Sequence, residues 1–178
     1  MLVVCEGQVT EVEYFEGIRD YFRSLPVDIR SCKVIGLGRD PGSLVDYTIR
    51  ERDKKEKEAR AQRDANIAYD EVWCVVDVDD HKTLDQALIA ARKAGINLAI
   101  SLPCFELWVL YHFEECAAAC DPESIRRKLR NTSGTMTNIW AARSRSRTMR
   151  SRVIAPSALI PIIARPTARD VTRPPMLG

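Results

Sequence analysis

The sequence predicts an α/β protein: a mainly parallel four-stranded sheet flanked by helices, followed by a poorly structured C-terminal tail. Three observations carry this expectation. Short apolar runs alternate with segments of helical period in the order β-α-β-α-β-α-β-α, the pattern of parallel strands joined by right-handed crossovers. The run Val72 to Val76 is continuously apolar and rich in β-formers, as in a central strand covered on both faces. At 178 residues and 46% hydrophobic content the chain has material for one buried core, so a wholly disordered chain is excluded.

Each element has its own signal. Leu2 to Cys5 is a short apolar run broken by Glu6 and Gly7, a buried strand ending in a turn. Thr10 is a plausible N-cap for a helix in which Val12, Tyr14, Phe15, Ile18, Tyr21, Phe22 and Leu25 recur until Pro26 stops it. Val27 to Leu37 predicts the second strand, and Gly36, Gly38 and Gly42 break the pattern after it. Ser43 to Ala68 reads as one long helix with a solvated, charged second half around Lys54 to Glu58. Glu71 to Asp77 is the third strand. Thr83 to Ala94 is an amphipathic helix capped by Gly95, and Ile96 to Leu102 is the fourth strand. Pro103 starts an apolar, deeply buried helix, and Asp121 to Arg130 gives a last short one.

The net charge of +2 conceals an uneven chain. Up to Arg130 there are 19 Lys or Arg against 24 Asp or Glu; beyond it there are eight Arg and one acid, Asp170. The division falls between a domain at residues 1–130 and an Arg/Pro-rich tail at 131–178. The tail is read chiefly as a segment without a fold, and secondarily as a basic arm whose Arg143, Arg145, Arg147, Arg150 and Arg152 bind phosphates. No apolar run approaches the roughly 20 residues a membrane span needs, and no secretory signal opens the sequence, so a cytoplasmic protein without a membrane partner is expected.

The six cysteines sit mostly inside apolar runs, as small hydrophobes in a reducing compartment. Cys116 and Cys120 lie four apart, but with two histidines and no Cys-x-x-Cys they lack the four ligands of a tetrahedral zinc site. Gly36, Gly38 and Gly42 have the wrong spacing for a dinucleotide loop, and no P-loop is present, so the chain is not itself a P-loop ATPase.

The informative residues are acids. Glu6 ends the first strand, and Asp77 with Asp79 ends the third, so a parallel sheet brings all three to one rim. Positions i and i+2 of an extended segment share a side, which aims Asp77 and Asp79 together. Clustered carboxylates repel one another unless a cation joins them, and hard oxygen ligands suit Mg²⁺ or Mn²⁺. Asp80 is either a further ligand or the N-cap of the next helix. Glu11, on the first turn of the first helix, either faces the same metal or complements the helix dipole. Glu106 is either salt-bridged or part of the site. His81 is a proton carrier, a phosphate contact or a loop histidine without a role.

Three blocks then carry a resemblance. Cys5-Glu6-Gly7-Gln8-Val9-Thr10-Glu11 with Tyr14-Phe15, Val72 through His81, and Ala99 through Trp108 with His112-Phe113 resemble the RloB-like family, related to AbiLii-type abortive-infection proteins. The resemblance implies a Toprim-like domain in which Glu6, Asp77 and Asp79 serve Mg²⁺-dependent phosphodiester chemistry and Glu11 matches a second acid of nuclease-type members. It implies a nuclease of a bacterial anti-phage or abortive-infection system, acting on DNA or RNA, often encoded beside an ATPase. The alternatives are a non-catalytic regulatory subunit of such an ATPase and a truncated, inactive family member. After Arg130 the resemblance stops. Gly134 to Trp140 can be back-translated so that another frame permits Gly-Tyr-Tyr-Asp-Lys-His-Leu, which holds the Tyr-x-Lys pattern of relatives, and this implies a frameshift near residue 131.

Overall fold

The Leu-Val-Val-Cys run forms β1 (Leu2–Cys5), wholly buried, and the chain then alternates as the periodicities require. In order follow α1 (Thr10–Arg23), β2 (Lys33–Gly36), α2 (Pro41–Gln62), a 3₁₀ turn (Ala65–Ile67) and β3 (Val72–Asp77). Next come α3 (Leu84–Ala94), β4 (Asn97–Ser101), α4 (Glu106–Leu110), α5 (Pro122–Asn131) and β5 (Ile162–Ala164). The structure, a computed structural model, describes residues 1–23, 32–78, 83–113, 121–131 and 162–164.

The sheet runs β2-β1-β3-β4-β5, with the first four strands parallel and β5 antiparallel to β4. The predicted α/β class and its four parallel strands are therefore present. Alternation along each strand sorts the core into two layers. Leu2, Val4, Cys74, Val76, Leu98 and Ile100 meet Leu44 and Val45 of α2 and Ala87 and Ala91 of α3 on one face. Val3, Cys5 and Val75 meet Phe105 and Val109 on the other, with Tyr14, Phe15 and Leu129 packed against them. Each fully buried Leu or Val adds roughly 1.5–3 kcal/mol relative to exposure. Helices on opposite faces are what right-handed crossovers demand when the chain steps from β1 to β2 and then back across to β3 and β4.

Several boundaries differ from expectation. Thr10 is the first residue of α1, one place inside the expected cap. The second strand starts at Lys33, and residues 27–31 of its expected span lie outside the described residues. The long helix begins at Pro41 because Asp40 caps it, accepting from the amides of Gly42 at 3.1 Å and Ser43 at 3.2 Å. It ends at Gln62, where Arg63 turns left-handed with φ 54°. Thr83, not Asp80, occupies the N-cap position of α3, and Gly95 closes that helix in the left-handed conformation with φ 71°, as expected.

Pro103 does not start α4: the chain bends through a cis Leu102–Pro103 peptide, and helix begins three residues later at Glu106. The short α4 is nonetheless buried through Leu107, Val109 and Leu110. The tail, read as building no fold, contributes β5. Three apolar residues are too few to show a period, yet Ile162, Ile163 and Ala164 suffice to pair with Ile100, Ala99 and Leu98 of β4. The rest of the tail, including the Arg143 to Arg152 stretch and the proposed frameshift segment, lies outside the described residues.

Cys5, Cys74 and Cys104 are buried free thiols, as the composition led one to expect. Burial pushes the Cys74 thiol up to about 11 and that of Cys104 to about 12. Cys116 and Cys120 lie outside the described residues. Among the described residues no helix is long and apolar enough to cross a membrane.

Candidate functional site: an acidic cleft where the strand order reverses

From β1 the chain moves outward to β2, and from β3 it moves outward in the other direction to β4. The helices leaving β1 and β3 lie on opposite faces of the sheet, so a crevice opens beyond the carboxyl ends of these two neighbouring strands. A cleft of about 280 Å³ lies there, lined by residues 6–11 with Asp77, Glu106 and Arg126.

Glu6 is fixed by its backbone. Its amide donates to Val75 O at 2.9 Å and its carbonyl accepts from Gly38 N at 2.7 Å, so it extends the ladder toward both neighbouring strands. Its side chain turns across β3: Oε2 accepts from the Asp77 amide at 3.2 Å. Asp77 is the last residue of β3, paired with the buried Ser101 of β4. Strand alternation directs its side chain to the face that holds Val75 and Phe105.

There Asp77 Oδ1 is buried without a hydrogen-bond partner. Burial raises the Asp77 carboxyl to about 7, and the Glu11, Glu106 and Glu6 charges add to the rise while the Phe105 amide opposes it.

Glu11, 7% exposed, folds back from the first turn of α1, and its Oε1 accepts from Gly7 N at 3.0 Å. Its carboxyl is also raised, first by burial and then by the Glu106 and Glu6 charges, against hydrogen bonds from backbone amides. Gly7 makes this fold-back possible, since a Cβ there would stand 2.0 Å from Glu11 Oε2. Glu106, at the start of α4, faces the same cleft and pairs with Arg126 Nε of α5 at 3.5 Å.

Of the residues singled out in the sequence, Glu6, Glu11, Asp77 and Glu106 thus line one cleft. Asp79, Asp80 and His81 lie outside the described residues. Three features escaped the sequence reading. Arg126 was hidden in an unremarkable run of basic residues, and no local pattern signals that the Phe105 amide serves Asp77. Gly7 read only as a turn, although a glycine four residues before a glutamate at a helix start does signal such a fold-back.

The donor set, carboxylate oxygens with one orphaned acceptor, fits a hard dication by its chemistry. Among the described residues, however, no three Asp, Glu, His or Cys side chains already stand at spacing that grips a metal ion.

Fold and cleft together define a mainly parallel α/β protein with an acidic crevice at its switch point. The chain belongs to the RloB-like protein family, which matches residues 1–155 and so runs past Arg130, where the resemblance was expected to stop. Neither a curated protein nor a solved structure gave a significant match.

Proposed function

We propose that this RloB-like protein is a Mg²⁺- or Mn²⁺-dependent nuclease with a Toprim-like domain, working in bacterial defence against phage or other foreign nucleic acid. The observation that carries this reading is the buried, unpartnered Asp77 Oδ1 in a cleft with three further carboxylates. An acceptor left bare costs about 1–3 kcal/mol, and carboxylates packed together add repulsion. A bound cation removes both costs, which supports a metal role over a merely structural one.

In this reading Glu6 and Asp77 hold the ion with Asp79, and Glu11 and Asp80 complete or flank the set. When bound, the dication supplies Lewis-acid polarisation of a phosphodiester and neutralises its developing charge. The chain's own contribution is placement. Backbone ladders fix Glu6, the end of β3 fixes Asp77, and Gly7 leaves room for Glu11. In this reading a partner ATPase, as the family resemblance implies, supplies any ATP-driven step.

The test incubates the purified chain with single-stranded DNA, duplex DNA and RNA, with Mg²⁺ or Mn²⁺, alone and with any ATPase that its gene neighbourhood encodes. Mn²⁺ binding is followed separately by electron paramagnetic resonance. The reading expects metal-dependent cleavage and Mn²⁺ uptake, both lost in Asp77→Ala. Equal cleavage by that variant would exclude the assigned roles.

A further inference from the structure

An acidic cleft repels the polyanion it is proposed to cut. Besides the dication, something must meet the strand's phosphates, and among the described lining residues one side chain is cationic: Arg126. It stands on α5, which Ile125, fully buried, and Leu129 anchor to the body of the protein. The guanidinium is therefore carried by a helix docked on the core.

Its ion-pair partner, Glu106 Oε1, lies 3.5 Å away, with the Arg126 side chain 52% exposed. With Glu106 18% exposed the pair is open on the Arg126 side only; solvent screening there keeps its contribution to stability modest and leaves the guanidinium accessible. The pair engages Nε, and a guanidinium carries further N–H donors in a fork that matches a phosphate. Arg127, Lys128 and Arg130 are exposed on the same helix and add to its positive charge. The cleft also has an apolar lip in Val9, 62% exposed, against which a sugar or base can pack.

We propose that Arg126 is the phosphate-binding residue of this cleft, its guanidinium receiving a backbone phosphate of a nucleic-acid strand that α5 guides in. The choice of nucleic acid as ligand rests on the nuclease reading; the phosphate contact itself is tested without catalysis. Glu106 holds the guanidinium in place until the phosphate takes it over.

The experiment measures fluorescence anisotropy of short fluorescein-labelled single-stranded DNA and RNA oligonucleotides with the full chain in EDTA, over a series of NaCl concentrations. Arg126→Gln should weaken binding about tenfold, the loss of one charge-assisted hydrogen-bond set. It should also flatten the slope of log K against log salt by about one. Arg126→Lys should keep most of the slope, and Arg60→Gln, the same charge change on the far end of α2, should alter neither quantity. Glu106→Gln removes a competing anion and should tighten binding, an independent readout if Arg126→Gln does not fold.

Wild-type-like affinity and slope in Arg126→Gln, unchanged or weaker binding in Glu106→Gln, or no binding of either oligonucleotide by the wild type overturns the assignment. Arg126-dependent binding without cleavage in Mg²⁺ or Mn²⁺, both alone and with the partner ATPase, sinks the nuclease reading and leaves the phosphate site standing.

Discussion

The Asp77 amide donates to Glu6 Oε2 over 3.2 Å, joining residues 71 positions apart at the ends of adjacent parallel strands. This contact couples the two acids that matter most to the proposed chemistry. Glu6→Gln keeps a carbonyl acceptor for that amide, so its stability in EDTA should stay within about 1 kcal/mol of wild type. Removing the negative charge should nevertheless lower metal-dependent cleavage about a hundredfold or more. Parallel melting and cleavage assays check this. A variant that cleaves normally, or one that simply unfolds, contradicts the expectation.

Asp77 predicts a pH effect of definite sign. Its carboxyl is raised from 3.8 to about 7 in the folded chain, chiefly by burial. The unfolded chain therefore gives up this proton first as pH rises, and the contribution to stability falls between about pH 4 and about pH 7. Above that range the folded protein carries the cost of a buried carboxylate whose Oδ1 has no partner. Asp77→Asn removes it and should be more stable than wild type by about 1–3 kcal/mol at about pH 8 in EDTA, with the gap closing near pH 4. Urea denaturation at both pH values measures the difference. Mg²⁺ at the higher pH should narrow it by stabilising only the wild type. An Asn variant no more stable than wild type at either pH would contradict burial as the cause of the shift.

Gly7 is constrained by Glu11. A methyl group at position 7 would stand 2.0 Å from Glu11 Oε2 and 2.4 Å from Oε1. Because the obstacle is the far end of a flexible side chain, Gly7→Ala should fold, at a cost of about 1–2 kcal/mol for the lost Gly7 N to Glu11 Oε1 bond. The displaced carboxylate should lower Mn²⁺ affinity more than stability. Glu11→Ala has no side chain to displace, so adding Gly7→Ala to it should cost less than in the wild type, a coupling of about 1 kcal/mol in a double-mutant cycle. Strict additivity would show that the two residues do not meet.

What the sequence conveyed and what it withheld have physical causes. Val72 to Val76 announced a central strand because burial on both faces leaves no room for polar alternation, and the parallel order then placed Glu6 beside Asp77. Periodicity is blind to contacts made by backbone and by single distant side chains. Hence the Phe105 amide at Asp77 and the Arg126 guanidinium at Glu106 became visible only in three dimensions. The start of α4 was misplaced because Pro103 is acceptable both in a first helical turn and in a bend, and composition alone does not choose. The strand β5 was missed because three residues carry no period.

Phe105, whose amide opposes the rise of the Asp77 carboxyl, sits among aromatic rings. Tyr14 of α1 packs edge-on against the Phe105 ring at 5.3 Å, and its hydroxyl lies 3.0 Å from His112 Nε2 beyond α4. Phe15 adds a second ring at 5.8 Å from Phe105. If ring packing positions the amide, Tyr14→Phe should lose only the hydrogen bond, about 0.5–1.5 kcal/mol, and leave the pH dependence attributed to Asp77 intact. Tyr14→Ala removes the ring and should cost about 2–4 kcal/mol. With the amide less well held, the Asp77 carboxyl loses a group that lowers its pKa, so its titration should move further up in Tyr14→Ala. Carboxyl-carbon NMR titration of Asp77 in both variants reads this directly. A shift of equal size in Tyr14→Phe would assign the positioning to the His112 bond instead, and no shift in either variant would detach the aromatic cluster from the cleft.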